Sequence, residues 1–350
     1  MTQSGTRFWR EVRSALACTA ACALIALAGG CENSGKAHAG RSPDTRGQTT
    51  SSEAADPRAV AYVKTAEQAI RDGDLDKALQ EFEHAIEVNP NYTEAHLGMA
   101  DIYRMQGRYD RAEQKYARAC QLQPRNFDAQ YFHGLMLHLL DRLPEAIQAY
   151  IRALAINPSD FKANLNIATA YYQLDENTQA LPYARRAVEL KPDDGPARFN
   201  LGAIYAAMNR HGDAVREYTQ AAEFMSLTPP LLLNLADSLA KLDRYEEMAN
   251  ALMQALKAEP SAIAYERLGY ARFKLGQYGD ARQNFNAAVR MDDSYYPALN
   301  GLGVCYLNDW IKGGRQDAGT KETGLNALRR SLQINRDQPQ ILEILTRYGR

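Results

Sequence analysis

Residues 93–126 read TEAHLGMADIYRMQGRYDRAEQKYARACQLQPRN, with a turn glycine at Gly107 between two helical stretches and a stop proline at Pro124. The same layout returns on both sides of this stretch. Ala85, Ala119, Ala153, Ala187, Ala221 and Ala255 stand 34 residues apart, and Ala288 follows after 33. Pro90, Pro124, Pro158 and Pro192 keep the same period. A fixed spacing of this size describes a helix-turn-helix solenoid, in which each unit buries its apolar face only against its neighbours.

The residue types fit close helix packing. Small residues at Ala100, Gly134, Ala168, Gly202, Ala236, Gly269 and Gly303 fall where two antiparallel helices approach, and a larger side chain there forces them apart. Tyr103, Tyr171, Tyr205 and Tyr306 on first helices, with Phe82, Tyr116, Tyr150, Tyr218 and Phe285 on second helices, are expected to fill the space between repeats. Most of the 20 tyrosines are then structural. Each proline ends a second helix, because the residue before it is pushed out of helical geometry. Ser226 replaces the stop proline of the fifth repeat, with Pro229 and Pro230 taking over, and Pro182 is read as lying near the first turn of its helix, where a missing donor costs little.

In the second repeat, Met99 and Ala100 hold a Leu-Gly slot, followed by Tyr103, Gly107, Ala112, Tyr116, Ala119 and Pro124. This resembles the tetratricopeptide repeat family, whose pattern runs W-x2-L-G-x2-Y, then A-x3-F, then P. The resemblance covers 59–338 in eight copies, 59–92, 93–126, 127–160, 161–194, 195–228, 229–261, 262–295 and 296–338. It implies an all-α, right-handed superhelical solenoid. Residues 339–350 read as a capping helix that shields the last repeat. The eighth repeat carries about nine extra residues within 308–323. Trp310, Lys312 and Arg315 there are a candidate contact loop, set against the reading that the Trp packs on its neighbours.

The first 30 residues stand outside the array. Arg7, Arg10 and Arg13 form a basic start, an apolar run extends from Ala15 to Ala28, and Ala28-Gly29-Gly30 leads into Cys31. The run has 14 residues. A membrane-spanning helix needs about 20, so the segment reads as an export signal. Residues 27–31 resemble the lipobox of bacterial lipoproteins, which implies lipidation at Cys31 and, through Glu32, the outer membrane of a Gram-negative cell. Cys22 is a rival with a shorter apolar core, and a secretory signal with an incidental cysteine is the alternative. Residues 32–57 hold no Phe, Tyr or Trp and no aliphatic side chain larger than alanine, and are expected to form a disordered tether. Such a tether has a root-mean-square span of roughly 30 Å.

Several function classes are disfavoured. The chain has 41 basic and 42 acidic residues, a net charge of −1, so no bulk field marks a nucleic-acid binder. His133 and His138 are five apart and do not share a helical face as a metal pair. No H-E-x-x-H, Walker loop, G-x-S-x-G or clustered Cys motif occurs. Neither an enzyme nor a cofactor or metal is expected, and Cys120 and Cys305 read as small core residues. Nothing in the sequence sets the oligomeric state.

The family resemblance places a peptide-binding surface on first helices. Asn166, Asn200 and Asn234 take one position in three successive repeats, and such amides can hold an extended peptide backbone. Tyr131, Phe132, Leu135, His138, Leu165, Tyr172 and Phe199 are expected around them. The slots that carry basic residues in repeats clamping chaperone tails are mainly apolar and acidic here, which argues against that ligand. The expected partners are other envelope proteins, bound through extended segments. The leading reading is a membrane-tethered scaffold in assembly of an envelope complex, as in pilotin-like or outer-membrane assembly accessory lipoproteins. Alternatives are a regulator of cell-wall enzymes and a non-lipidated secreted adaptor.

Overall fold

The computed structural model describes residues 56–349. The export signal, Cys31 and all but the end of the tether lie outside the described residues. The described chain divides into two compact units, 56–192 and 193–349. All regular structure among the described residues is helical.

The first unit holds α1 (Pro57–Arg71), α2 (Leu75–Val88), α3 (Thr93–Met105), α4 (Tyr109–Leu122), α5 (Phe127–Leu139), α6 (Leu143–Ile156), α7 (Phe161–Gln173) and α8 (Asn177–Leu190). The second holds α9 (Gly195–Ala207), α10 (His211–Phe224), α11 (Pro229–Lys241), α12 (Tyr245–Ala258), α13 (Ala262–Lys274), α14 (Tyr278–Met291), α15 (Tyr296–Lys312), α16 (Ala318–Ile334) and α17 (Pro339–Tyr348). Within each unit a first helix packs on its own second helix, which packs on the next first helix. Neighbouring first helices also touch, α5 with α7 in one unit and α13 with α15 in the other.

Helix starts are set by side chains that satisfy orphan backbone donors. Asp56, Asp74, Asn126, Asp160, Asp194, Ser261 and Asp317 each accept from an N–H of the first turn. Every first helix ends in one motif. In α3 the Gly107 N–H bonds to Arg104 O and the Arg108 N–H to Tyr103 O, the paired closure of a Schellman turn. Its left-handed residue recurs as Gly73, Gly107, Asp141, Asp175, Asn209, Asp243, Gly276 and Gly314. Only Gly107 is expected there from the repeat pattern; Asp and Asn tolerate this backbone without announcing it.

Second-helix aromatics form the centre of the packing. Phe82, Tyr116, Tyr150, Tyr218 and Phe285 are all buried. A Cβ at Gly134 would stand 2.8 Å from the Tyr150 ring, and one at Gly202 2.7 Å from Tyr218. Each of these glycines therefore opens the space its aromatic partner fills. A further set of side chains ties repeats together: His96 bonds to Pro90 O at 2.9 Å, Gln130 donates to Pro124 O at 3.2 Å and Asn164 to Pro158 O at 3.1 Å. The stop prolines thus supply a carbonyl as well as a break. Cys305 is buried and Cys120 half-buried, and burial pushes both thiols up to about 12.

Two expectations need correction. Pro182 is the sixth residue of α8, beyond the first turn, so the hydrogen bond it forgoes is an interior one. Most of the extra residues of the eighth repeat lengthen α15 and α16 to 17 residues each, against 13 to 14 in α3–α14, and the rest lengthen the exposed turn 313–317; of the two readings, the one in which the Trp packs on its neighbours is the one seen. Trp310 therefore lies inside α15, half-buried, its ring 6.1 Å from Tyr348 of α17 in an edge-on contact. The long helix gives α17 something to pack on, and the candidate contact loop becomes part of the cap. Lys312 stands over the Tyr278 ring at 3.7 Å and Arg315 over Trp310 at 5.8 Å, and both remain exposed.

Candidate peptide-binding surface

The asparagines fall in different environments. Asn166 is half-buried on α7, and its Nδ2 donates to the Tyr131 hydroxyl of α5 at 3.1 Å. That amide already joins two first helices. Asn200 is 2% exposed and Phe199 3% exposed, the latter packed at 5.7 Å on Tyr218. Both were expected on an open face and are instead covered, because α9 turns them into the interior. Asn234 is half-buried on α11. Asn166 belongs to the first unit, and Asn200 and Asn234 to the second.

The aromatic residues of the first unit do converge. A cleft of about 340 Å³ is lined by Phe127, Tyr131 and Phe132 of α5, Phe161 and Lys162 of α7, and Asp128, Asp160 and Lys191. Tyr131 forms its floor at 8% exposure, and burial pushes its hydroxyl up to about 12, so it stays protonated. Phe127 stacks on Tyr131 at 5.9 Å, and Phe132 meets Tyr131 edge-on at 5.1 Å. These contacts leave Phe127, Phe132 and Phe161 half-buried, which gives an apolar wall that is only partly satisfied by the fold.

The rim is charged. Asp160 caps α7, accepting from the Ala163 N–H at 2.7 Å, and Asp128 sits in the first turn of α5. Both carboxylates stand at helix N-termini, where backbone dipoles offset negative charge. Lys191 holds its ammonium 4.5 Å from the centre of the Phe161 ring. Lys162 is exposed beside it.

Other expected lining residues lie apart from this cleft or behind it. Leu165 and His138 are buried, with His138 Nε2 bonded to Gln173 Oε1 at 2.9 Å. Burial lowers the His138 imidazole below its ordinary range, which leaves it neutral at physiological pH. Leu135 and Tyr172 are half-buried on α5 and α7. Of the cleft's lining residues, Tyr131 and Phe132 are among those expected from the sequence, and Phe127, Phe161 and Lys191 are not. A signal was present: Phe127 and Phe161 open consecutive first helices 34 residues apart, where other repeats carry Ala59, Thr93, Gly195, Pro229 or Ala262 and, in the last, Tyr296.

Among the described residues, no group of three or more His, Cys, Asp or Glu is placed to hold a metal, and no helix is long and apolar enough to cross a membrane.

Among proteins of curated function, none matches the chain. Solved structures similar to it include a tetratricopeptide repeat protein from Parabacteroides merdae, 17% identical with a TM-score of 0.49, the match covering 71% of this chain and 98% of that one. YrrB, described as a TPR protein with an unusual peptide-binding site, is 20% identical with a TM-score of 0.49, over 57% and 99% of the two chains. Pseudomonas aeruginosa pilF is 18% identical with a TM-score of 0.49, over 60% and 95%. Tetratricopeptide repeat models match 69–135 and 165–226, 233–296 and 267–309, and a TPR repeat model matches 134–175. With those matches running in tandem along the helix pairs, the chain belongs to the tetratricopeptide repeat family.

Proposed function

We propose that this protein is a scaffold that acts by binding peptide segments of partner proteins, without chemistry of its own, and that Cys31 carries a lipid that tethers it to a membrane of the bacterial envelope. The observation that carries the binding half is the aromatic cleft of α5 and α7, where three half-buried phenylalanines surround a buried tyrosine. Its volume suits one large apolar side chain of an extended segment, and Asn166, Leu135 and Tyr172 border the same two helices. The tethering half rests on the basic start, the 14-residue apolar run and the small residues before Cys31. In this reading a partner is held near the membrane while it joins an envelope complex.

The two halves are tested separately. Cells fed a radioactive fatty acid should label the native chain and not Cys31→Ala; equal labelling of both removes the anchor. A reversible crosslink in intact envelope should recover a protein partner with the native chain, and Phe127→Ser with Phe161→Ser should reduce that recovery at least tenfold, about 1.4 kcal/mol. Undiminished recovery with that variant removes the cleft from the binding surface.

A further inference from the structure

The charge around the cleft points to what flanks the anchored side chain. On the α7 side the rim holds Lys162 and Lys191, and among the described residues neither ammonium forms an ion pair. Lys191 has only the face of Phe161, at 4.5 Å. Asp160, in the same lining, accepts from the Ala163 N–H at the α7 cap and pairs with neither lysine among the described residues. On the α5 side the rim holds Asp128. The rim thus carries two carboxylates and two ammoniums, and the ammoniums, both on the α7 side, are the groups without an ion-pair partner among the described residues.

We propose that the cleft recognises an internal apolar–acidic segment: a large aromatic or aliphatic side chain seated on Tyr131 between Phe127, Phe132 and Phe161, with an Asp or Glu within about three residues reaching Lys162 and Lys191. This rests on the reading of the cleft as a peptide site and adds the chemistry of its ligand. Two observations favour it. Apolar anchors gain from filling a partly lined aromatic cavity. A carboxylate beside two unpaired ammoniums gains attraction that an amide or a cation does not. The recognition needs no free chain end.

The test uses random twelve-residue peptides displayed on phage through their C-termini, so that no terminal carboxylate is free, selected on the full chain. Enriched peptides are then synthesised with amidated ends and their affinities measured by fluorescence anisotropy. Aromatic or large aliphatic residues with Asp or Glu within three positions should be enriched. Lys162→Glu with Lys191→Glu, both at exposed positions, should weaken those peptides roughly tenfold and shift the selection toward Lys and Arg. Phe161→Glu, and separately Phe127→Ser with Phe161→Ser, should abolish binding while the helical circular dichroism is retained. If peptides are lost from the cleft variants but ignore the lysine reversal, the acidic preference is wrong and the cleft reading stands. If no peptide is enriched, or enriched peptides survive both cleft variants, the cleft reading itself fails.

Discussion

Tyr218→Ala should lower the unfolding free energy of the second unit by about 3–5 kcal/mol, the usual cost of truncating a buried aromatic. Tyr218 is 1% exposed and occupies the space that Gly202 leaves open. Its ring also packs on Phe199. Removing it leaves a cavity between α9 and α10 that flanking backbone cannot close, since a helix pair holds its neighbours only through such contacts. The complementary change, Gly202→Leu, drives a side chain into the same ring and should cost about 1–3 kcal/mol through overpacking. Urea denaturation followed by circular dichroism checks both, and hydrogen exchange should show the lost protection concentrated in α9 and α10. A loss below about 1 kcal/mol for Tyr218→Ala would mean that the ring is not the packing centre of its repeat.

Glu266→Gln should stabilise the protein at alkaline pH and change little near pH 5. Glu266 lies on α13 at 2% exposure, and its Oε1 makes no hydrogen bond among the described residues. Burial pushes its carboxyl up from 4.5 to about 8; Arg267 opposes this and Asp237 adds to it. Arg267 itself is paired with Asp237 at 3.0 Å, which limits what it offers Glu266. The folded state thus keeps a proton that the unfolded state releases above pH 4.5. The stabilisation from that proton is complete below pH 4.5 and is lost as pH rises to about 8. Glutamine mimics the protonated acid, so the advantage of Glu266→Gln should grow by up to about 1.4 kcal/mol for each pH unit across this window and then level off. Denaturation midpoints at pH 5, 7 and 9 measure it; parallel curves for the two proteins would show that Glu266 is ionised when folded.

The fold was legible in the sequence because its determinants repeat. Ala119 and Pro124 each return at one spacing, an aromatic returns at the Tyr116 position in most repeats, and no single side chain has to be interpreted correctly for the period to stand. The turn residues were harder to see: Asp141, Asp175, Asn209 and Asp243 do the work of Gly107 with side chains that look like ordinary surface polar groups. Insertions also hide their outcome, since the Gly313-Gly314 pair suggests a loop while the residues before it continue α15 to Lys312. The candidate site was legible in part for a different reason. Which face of a first helix a residue occupies follows from its repeat position, so Tyr131 and Phe132 could be named. How deeply it sits depends on the neighbouring side chains, so Asn200 is covered while Asn166 and Asn234, at the same repeat position, are half-buried. Lys191 enters the cleft from the end of α8, 30 residues beyond the Phe161 ring it covers. A linear scan for contact residues does not connect the two.

The most direct test of the account places a photo-activatable benzoylphenylalanine at position 161 of the full chain in the cells that make it, with position 179, exposed on α8 away from the cleft, as the control. Irradiation should give a discrete protein adduct from position 161 and none from 179, and digestion should locate the crosslink in an extended segment of the partner. No adduct from position 161, or the same adducts from both positions, would contradict a scaffold that captures its partners in the α5–α7 cleft.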